Sequence, residues 1–521
     1  MGRQLSKKIN RLIEAYLSRE QQHFEIGEKV KVDRTVSSVS FFYEKVRNAV
    51  DYREDHLFRR AAIERILTRR LMLGMRDETQ LANLLIKELI QAGYCHNDEI
   101  SEWALEKIVA KLKWYIGFLK KIEFFSLNLR QKLIGVASVD IDEELSTRTK
   151  EEALVDVFYV MLEDEFKKAG LASNQDWNEE YLYINIQRIF LKSDKQTIYF
   201  YLLKNYLPDW GKIDIDSELI SDFSDLIGLI AKNIKSASRD KFTSKYIKKN
   251  LATFLVTRHI FANKMLTPED FLDEDKVMQA VKESASQLYA FNHQALKRGI
   301  IKVIIFIFLT KTVFAAAIEY PYDLYFIHHP NWMALTINIL FPITLLLFLG
   351  FWVKIPSEEN SGRIFNALKK VIYEDNSLLF PELIKKSKPR FPKWLTNILY
   401  GITYLISFGL VAWLLYILHF NIASAFIFFF FLSLVSFLAY RLQAGIRELK
   451  ASGAREGIIW ALGDLFTLPF LKIGQVLSDQ VAKINVWLYI LDFLFEAPLK
   501  LILEVIESWA VYIREKKEEL L

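Results

Sequence analysis

Apolar residues in the first part of the chain recur at spacings of three and four, which is the period of an amphipathic helix. The windows 57–71, 81–90 and 108–119 show this spacing most clearly. Strict alternation is scarce, and Leu133–Ile141 is the stretch whose pattern fits one short strand. The pattern predicts that residues 1–298 form mainly amphipathic helices.

Beyond residue 298 the amphipathic pattern gives way to continuous apolar runs. A helix that crosses a hydrocarbon layer of about 30 Å needs about 20 predominantly apolar residues. Four segments meet this requirement: 299–318, 332–353, 395–418 and 422–440. Trp332, Trp352 and Trp394 lie at the ends of these segments, where indole rings favour the membrane interface. We therefore predict four transmembrane helices.

The predicted fold class is all-α, a polytopic helical membrane protein with a large N-terminal cytoplasmic helical domain. A polar, acidic stretch at 136–150 divides the soluble half into two parts. The predicted organisation has cytoplasmic helical regions at 1–140 and 141–298, and four transmembrane helices within 299–440. Residues 441–521 are expected to hold amphipathic or re-entrant helices and a cytoplasmic tail.

The C-terminal region contains two apolar segments that charges interrupt. The first, 457–477, contains Asp464. In the second, 486–506, four charged residues recur at every fourth position and make a polar ridge along one side of a helix: Asp492, Glu496, Lys500 and Glu504. This ridge favours helices that lie in the headgroup plane. Two further true spans are the alternative, and both arrangements keep the C-terminus on the same side.

Charge is distributed unevenly along the chain. Residues 1–298 carry 92 charged side chains, whereas residues 299–521 carry 39. The connections 319–331 and 419–421 contain no Lys or Arg, while the connection 354–394 contains nine. Because basic loops are retained in the cytoplasm, we expect both termini to be cytoplasmic in a multi-pass plasma (inner) membrane protein. The net charge of +5 is small for this length, so nucleic acid is an unlikely partner.

The basic connection also contains candidate contacts to lipid headgroups. Positive charge and an indole ring next to a span suit an anionic membrane surface. The candidates are Lys385, Lys386, Lys388, Arg390, Lys393 and Trp394.

Lys311 lies near the middle of the first predicted span. A lysine at this depth costs about 2.5–3.5 kcal/mol on insertion scales, so it should face the bundle interior and have a partner. The candidate partners are Glu319, Asp464, Asp492 and Glu496. One interpretation is a site for an ion, a proton or an anionic substrate. The other is a buried pair that fixes helix register, or a side chain that extends to the interface.

Motifs of the common soluble enzymes are absent from the sequence. The chain has no GxxxxGK[ST], GxGxxG, HExxH, GxSxG or CxxC motif. His328 and His329 lie near Glu319 and Asp323, but a metal needs three or four converging ligands and adjacent histidines diverge. We predict no metal and no cofactor.

The sequence favours a membrane-anchored scaffold or interaction protein, because more than half of the chain is predicted cytoplasmic helix. Its expected partners are the lipid bilayer and a protein that binds the cytoplasmic domain, and the sequence leaves a homo-oligomer open. The alternatives are a transporter or channel that uses Lys311, and a membrane enzyme that acts on lipid.

Overall fold

The computed structural model describes most of the chain between residues 57 and 483, together with short pieces at either end. The described residues are 6, 9–10, 12–14, 57–96, 100–122, 127–145, 149–168, 178–328, 332–351, 353, 356, 358–373, 392–451, 458–483, 505, 509, 512 and 513. Every secondary-structure element in these ranges is a helix, and none is a strand. The all-α prediction is therefore confirmed.

Nine α-helices lie between residues 57 and 262 of the described chain. They are α1 Phe58–Met72, α2 Glu78–Gln91, α3 Glu102–Lys121, α4 Leu127–Glu144, α5 Thr149–Lys168, α6 Glu179–Ile189, α7 Lys195–Tyr206, α8 Ser217–Arg239 and α9 Lys241–Ala262. Polar side chains cap most of their N-termini; Asp77, Asp194 and Asp240, for example, each accept a backbone N–H from the first turn. The sequence thus marks these helix starts locally.

The strand predicted for Leu133–Ile141 is wrong, because these residues lie within α4. Nearly every position of α4 from Leu133 to Asp142 is buried, on all sides of the helix. A helix that is buried all round loses the 3.6-residue pattern, and its sequence then resembles a strand. The predicted border between residues 140 and 141 also falls inside α4, and the division of the N-terminal half into two regions stays a prediction.

One helix joins the two halves of the chain. Helix α10, Glu274–Phe314, continues through a π turn at Ala315–Glu319, a short α-helical piece at Tyr320–Tyr322 and a second π turn at Asp323–Ile327. At about 1.5 Å per residue the whole rod is roughly 80 Å long. It ends at His328, whose φ of 68° is left-handed.

Among the described residues, six helices follow the rod. They are α11 Trp332–Phe351, α12 Glu358–Tyr373, α13 Lys393–Ile417, α14 Ile422–Leu442, α15 Ala444–Glu448 and α16 Ile458–Lys483. By length and apolar composition, two helical stretches among the described residues suffice to cross a membrane, namely Asn397–Ile417 and Ile422–Leu442. Trp332–Phe348 and Leu465–Ser478 are shorter apolar stretches.

The hydrophobic core of the N-terminal half extends into segments from the other half. Ile364, Phe365 and Leu368 of α12 pack in one cluster with α5, α6, α9 and the start of α10. Ile9 and Leu12 from the N-terminus belong to the same cluster, and the Ser6 hydroxyl donates to the Val371 carbonyl at 2.6 Å. Helix α12 is therefore part of the core of the N-terminal half.

Helices α10 (from Gly299), α11, α13, α14 and α16 form an apolar bundle with two distinct ends. At the domain end, which adjoins the N-terminal half, glycines allow close packing: a Cβ at Gly299 would lie 2.6 Å from Leu442, and one at Gly350 would lie 2.2 Å from Ile300. The hairpin end contains residues 319–328, Trp332 and the turn at 418–421. Polar residues are buried towards this second end.

Candidate functional site

A column of six polar side chains runs from the middle of the apolar bundle to its hairpin end. Five of the side chains are buried, and that of Asn421, at the hairpin end, is partly exposed. We call this set the polar column: Lys311, Glu319, Asp323, Asn338, Asn421 and Ser424. It brings together two residues that the sequence singles out for the site, Lys311 and Glu319.

Lys311 occupies the inner end of the column. Its Nζ lies 3.5 Å from Glu319 Oε1, and both side chains have 0% exposure. The same Nζ lies 4.3 Å from the centre of the Phe431 ring, near the middle of the 21-residue helix α14. The ammonium thus lies between a carboxylate and an aromatic face, both of which attract a cation.

A π turn explains how Lys311 and Glu319 meet. In a regular α-helix, residues eight apart point about 80° away from each other. The π turn at Ala315–Glu319 closes hydrogen bonds over five residues and takes up about one extra residue. The angular separation then equals that of residues seven apart in a regular α-helix. The side chains of Glu319 and Lys311 therefore point in directions that differ by about 20° around the helix axis.

Asn338 connects the rod with two other helices. Its Nδ2 donates to Glu319 Oε1 at 2.8 Å and to the Ser424 carbonyl oxygen at 3.2 Å. Asn338 belongs to α11 and Ser424 to the first turn of α14. A single amide group therefore holds the carboxylate of the rod against α14.

The outer end of the column is formed by Asp323 and Asn421. Asn421 Nδ2 donates to Asp323 Oδ1 at 2.6 Å, while Asn421 Oδ1 accepts the Ser424 backbone N–H at 2.7 Å. The N-cap of α14 is thereby tied to the second π turn of the rod.

Four buried polar atoms of the column have no hydrogen-bond partner among the described residues. They are Lys311 Nζ, Glu319 Oε2, Asn338 Oδ1 and Ser424 Oγ. A buried polar group without a partner costs about 1–3 kcal/mol, so such a concentration in one place calls for a chemical reason. Three of the four atoms are oxygens, and they belong to residues that the Asn338 amide already joins.

An aliphatic cluster lies on the domain side of Lys311, where α14 also buries Ser433 and Ser436. Leu296, Ile300, Ile307, Leu346 and Leu438 pack into one cluster from the level of Lys311 towards the domain end. The polar column is therefore closed on that side by aliphatic side chains.

The other predicted site residues do not enter the described column. Asp464 lies in α16 and Lys393 at the start of α13, while the side chains of both lie outside the described set. Trp394 is exposed at the start of α13. Asp492, Glu496, Lys385, Lys386, Lys388 and Arg390 lie outside the described residues.

Sequence reasoning missed four members of the column as site residues, although two carry a readable signal. Asn338 is an isolated amide within an apolar span, and Asp323 is a carboxylate in a connection that lacks basic residues. The sequence pattern of Asn421 and Ser424 predicts an ordinary helix N-cap. The Asn421 side chain does cap α14 by accepting the Ser424 backbone N–H. Among the described residues, no group of His, Cys, Asp and Glu is suited to hold a metal ion.

No protein-family model, curated protein or solved structure matches this chain.

Proposed function

We propose that this chain is a multi-pass membrane protein that takes up a small ion at the polar column and transports it. The membrane part of the proposal is supported by α13. Only 11% of its apolar stretch is buried, and Leu405, for example, is 76% exposed. The apolar core helix of a soluble protein is buried, whereas a helix that faces lipid exposes its apolar side chains in this way.

The four spans of the proposal are the apolar part of the rod, α11, α13 and α14. In this arrangement the hairpin end faces outward and the N-terminal half and the C-terminus are cytoplasmic, because the basic connections lie at the domain end. A reporter fused after Leu521 should then be active in the cytoplasm. Activity of the reporter on the outer side would contradict this orientation.

The transport part rests on one observation: the ionisable pair Lys311–Glu319 is fully buried and incompletely hydrogen-bonded. An ion pair that only fixes helix register is expected to have its hydrogen bonds satisfied, since an unpaired buried group destabilises the fold. Ionisable groups within membrane helices commonly mark ion and proton paths. The aliphatic cluster on the cytoplasmic side would act as the closed gate of this path.

The test is ion flux into proteoliposomes that contain the purified full chain, measured with radioactive sodium and with a pH-sensitive dye. Lys311→Met should lower the flux about tenfold or more, because it removes the only described cation at the site. Lys302→Met is the matched control, since Lys302 lies in the same helix and is exposed. Absence of flux in the wild type would refute transport, and equal flux in both variants would remove Lys311 from the transport path.

A second candidate function is a scaffold that binds a protein through its cytoplasmic half. Met72 and Leu73 at the end of α1, and Leu127 at the start of the antiparallel helix α4, are exposed large apolar residues. Exposed apolar groups of this kind are a common feature of contact surfaces. Cross-linking in cells should yield a specific partner that Met72→Ser/Leu73→Ser loses and the control Leu272→Ser retains.

A further inference from the structure

We propose that Glu319, Asn338 and Ser424 form a binding site for a monovalent cation, and that Lys311 is a tethered cation that competes for the same carboxylate. The inference rests on the proposed function, because it names the ion that the column takes up. Its evidence is the ligand chemistry, the charge and the position of Lys311.

The ligand chemistry comes from three oxygen atoms of different kinds. Glu319 Oε2, Asn338 Oδ1 and Ser424 Oγ are a carboxylate, an amide and a hydroxyl oxygen, and each is buried without a partner among the described residues. The three residues have 0% exposure and meet at the Asn338 amide, which donates to Glu319 and to the Ser424 carbonyl. Hard oxygen ligands of this kind select hard cations over soft ones.

The charge of the site favours a monovalent ion. Glu319 is the one carboxylate among these three ligands, and the nearby Asp323 is engaged with Asn421 at the hairpin end. Sites for Ca²⁺ generally use more than one carboxylate, and Mg²⁺ sites keep several waters. One carboxylate balances one positive charge, so Glu319 can neutralise either the Lys311 ammonium or a monovalent cation, and a divalent ion would leave a larger uncompensated charge.

Lys311 Nζ lies between two groups that each attract a cation. This atom lies 3.5 Å from Glu319 Oε1, which is longer than a direct hydrogen bond, and 4.3 Å from the centre of the Phe431 ring. When a cation binds Glu319, repulsion in this poorly screened environment displaces the ammonium from the carboxylate. The aromatic face then stabilises the displaced ammonium. Lys311 thus replaces the ion and promotes its release.

The experiment measures the thermal midpoint of the detergent-purified full chain in NaCl, KCl or LiCl, at an ionic strength held constant with choline chloride. A saturable rise with at least one of these cations is expected, because a ligand that binds the folded state stabilises it. Lys311→Met should lower the half-saturating concentration about tenfold, since the competitor is gone. No saturable rise in the wild type, or a saturable rise only in parallel measurements with CaCl₂ or MgCl₂, would overturn the site.

Ser424→Ala provides the test that does not depend on folding. The Ser424 hydroxyl has no hydrogen-bond partner in the described structure, so its loss should leave the fold intact while it weakens cation binding about tenfold. Ser407→Ala is the matched control: this hydroxyl in α13 is also buried and unpartnered, and it lies outside the column. Equal affinity of both variants would overturn the assignment of Ser424.

The outcomes separate this site from the transport proposal. Saturable binding without flux would refute transport and retain the site. Flux that depends on Lys311 without saturable binding would retain transport and refute the cation site.

Discussion

At the residue scale, two buried cationic side chains differ in the partners that offset the free-energy cost of removing their charge from water. Arg60 in α1 is 1% exposed, and its guanidinium contacts Glu64 at 2.7 Å, Asp194 at 2.5 Å and Ser138 at 3.0 Å. Burial lowers the pKa of Arg60, but these carboxylates outweigh it and raise the pKa overall. Lys311, equally buried, has one carboxylate at 3.5 Å. Arg60 therefore has two carboxylates within 2.7 Å, whereas Lys311 has one at 3.5 Å, although Arg60 Nε is also buried without a hydrogen-bond partner among the described residues.

Replacing Arg60 by Met should destabilise the N-terminal half by about 1–3 kcal/mol, because two carboxylates lose their shared partner. The measurement is the thermal midpoint of the full chain. Arg363→Met is the control, since its partner Glu359 is 75% exposed. A surface pair of this kind contributes about 0–1 kcal/mol. Equal shifts of the thermal midpoint in the two variants would show that Arg60 contributes no more to stability than a surface ion pair does.

Glu144 predicts a pH dependence of stability. Burial raises the pKa of its carboxyl, but Lys111, at 2.8 Å, and Lys107 outweigh burial and hold the pKa below the ordinary value of 4.5. The stabilisation is therefore fully present above pH 4.5 and is lost as the pH falls through the lower folded value. Glu144→Gln should make the thermal midpoint less sensitive to acid in this range. An unchanged acid profile would contradict this account.

At the element scale, helix contacts in the apolar bundle depend on small residues. A Cβ at Gly474 of α16 would lie 2.0 Å from the backbone oxygen of Ser433 and 2.7 Å from Phe437 Cβ, so α14 and α16 touch almost backbone to backbone. Small residues allow this approach wherever apolar helices pack without a strong hydrophobic driving force.

Gly474→Ala should therefore force α16 away from α14, since backbone atoms cannot yield as a flexible side chain does. We expect a lower thermal midpoint in detergent and a weaker cysteine cross-link between the two helices. Gly463→Ala in the same helix is the control, because a Cβ there meets nothing within 4 Å. Since Ala favours a helix more than Gly does, a matching loss in the control would show that the close contact at Gly474 is not the cause.

At the scale of the whole molecule, the N-terminal half is completed by helix α12. Asn360 of α12 donates to the Tyr289 hydroxyl at 2.7 Å and to the Leu449 carbonyl at 2.8 Å, and its Oδ1 accepts the Ala451 N–H at 2.8 Å. One buried amide thus fastens the rod, α12 and the segment after α15 to each other. A displacement of the rod relative to α12 would therefore break or shift hydrogen bonds within the N-terminal half.

A fragment of residues 1–298 should accordingly expose the apolar surface that α12 covers. We expect it to bind a hydrophobic dye and to unfold at a lower temperature than the N-terminal half of the full chain. Added peptide 358–373 should reverse both effects, whereas a peptide with Ile364→Asp and Leu368→Asp should not. A fragment as stable as the full chain would show that α12 is dispensable for this core.

The sequence by itself determined the helical class, the positions of the apolar segments and the need of Lys311 for a buried partner. These properties depend on local periodicity and on the cost of burying charge, both of which can be read along the chain. The tertiary structure decided that Glu319 lies beside Lys311, that Asn338 and Ser424 complete the column, that 133–141 is helical and that α12 belongs to the N-terminal core. A π turn changes the face of a helix, and a contact between distant segments has no periodic pattern, so neither can be inferred from the order of residues alone.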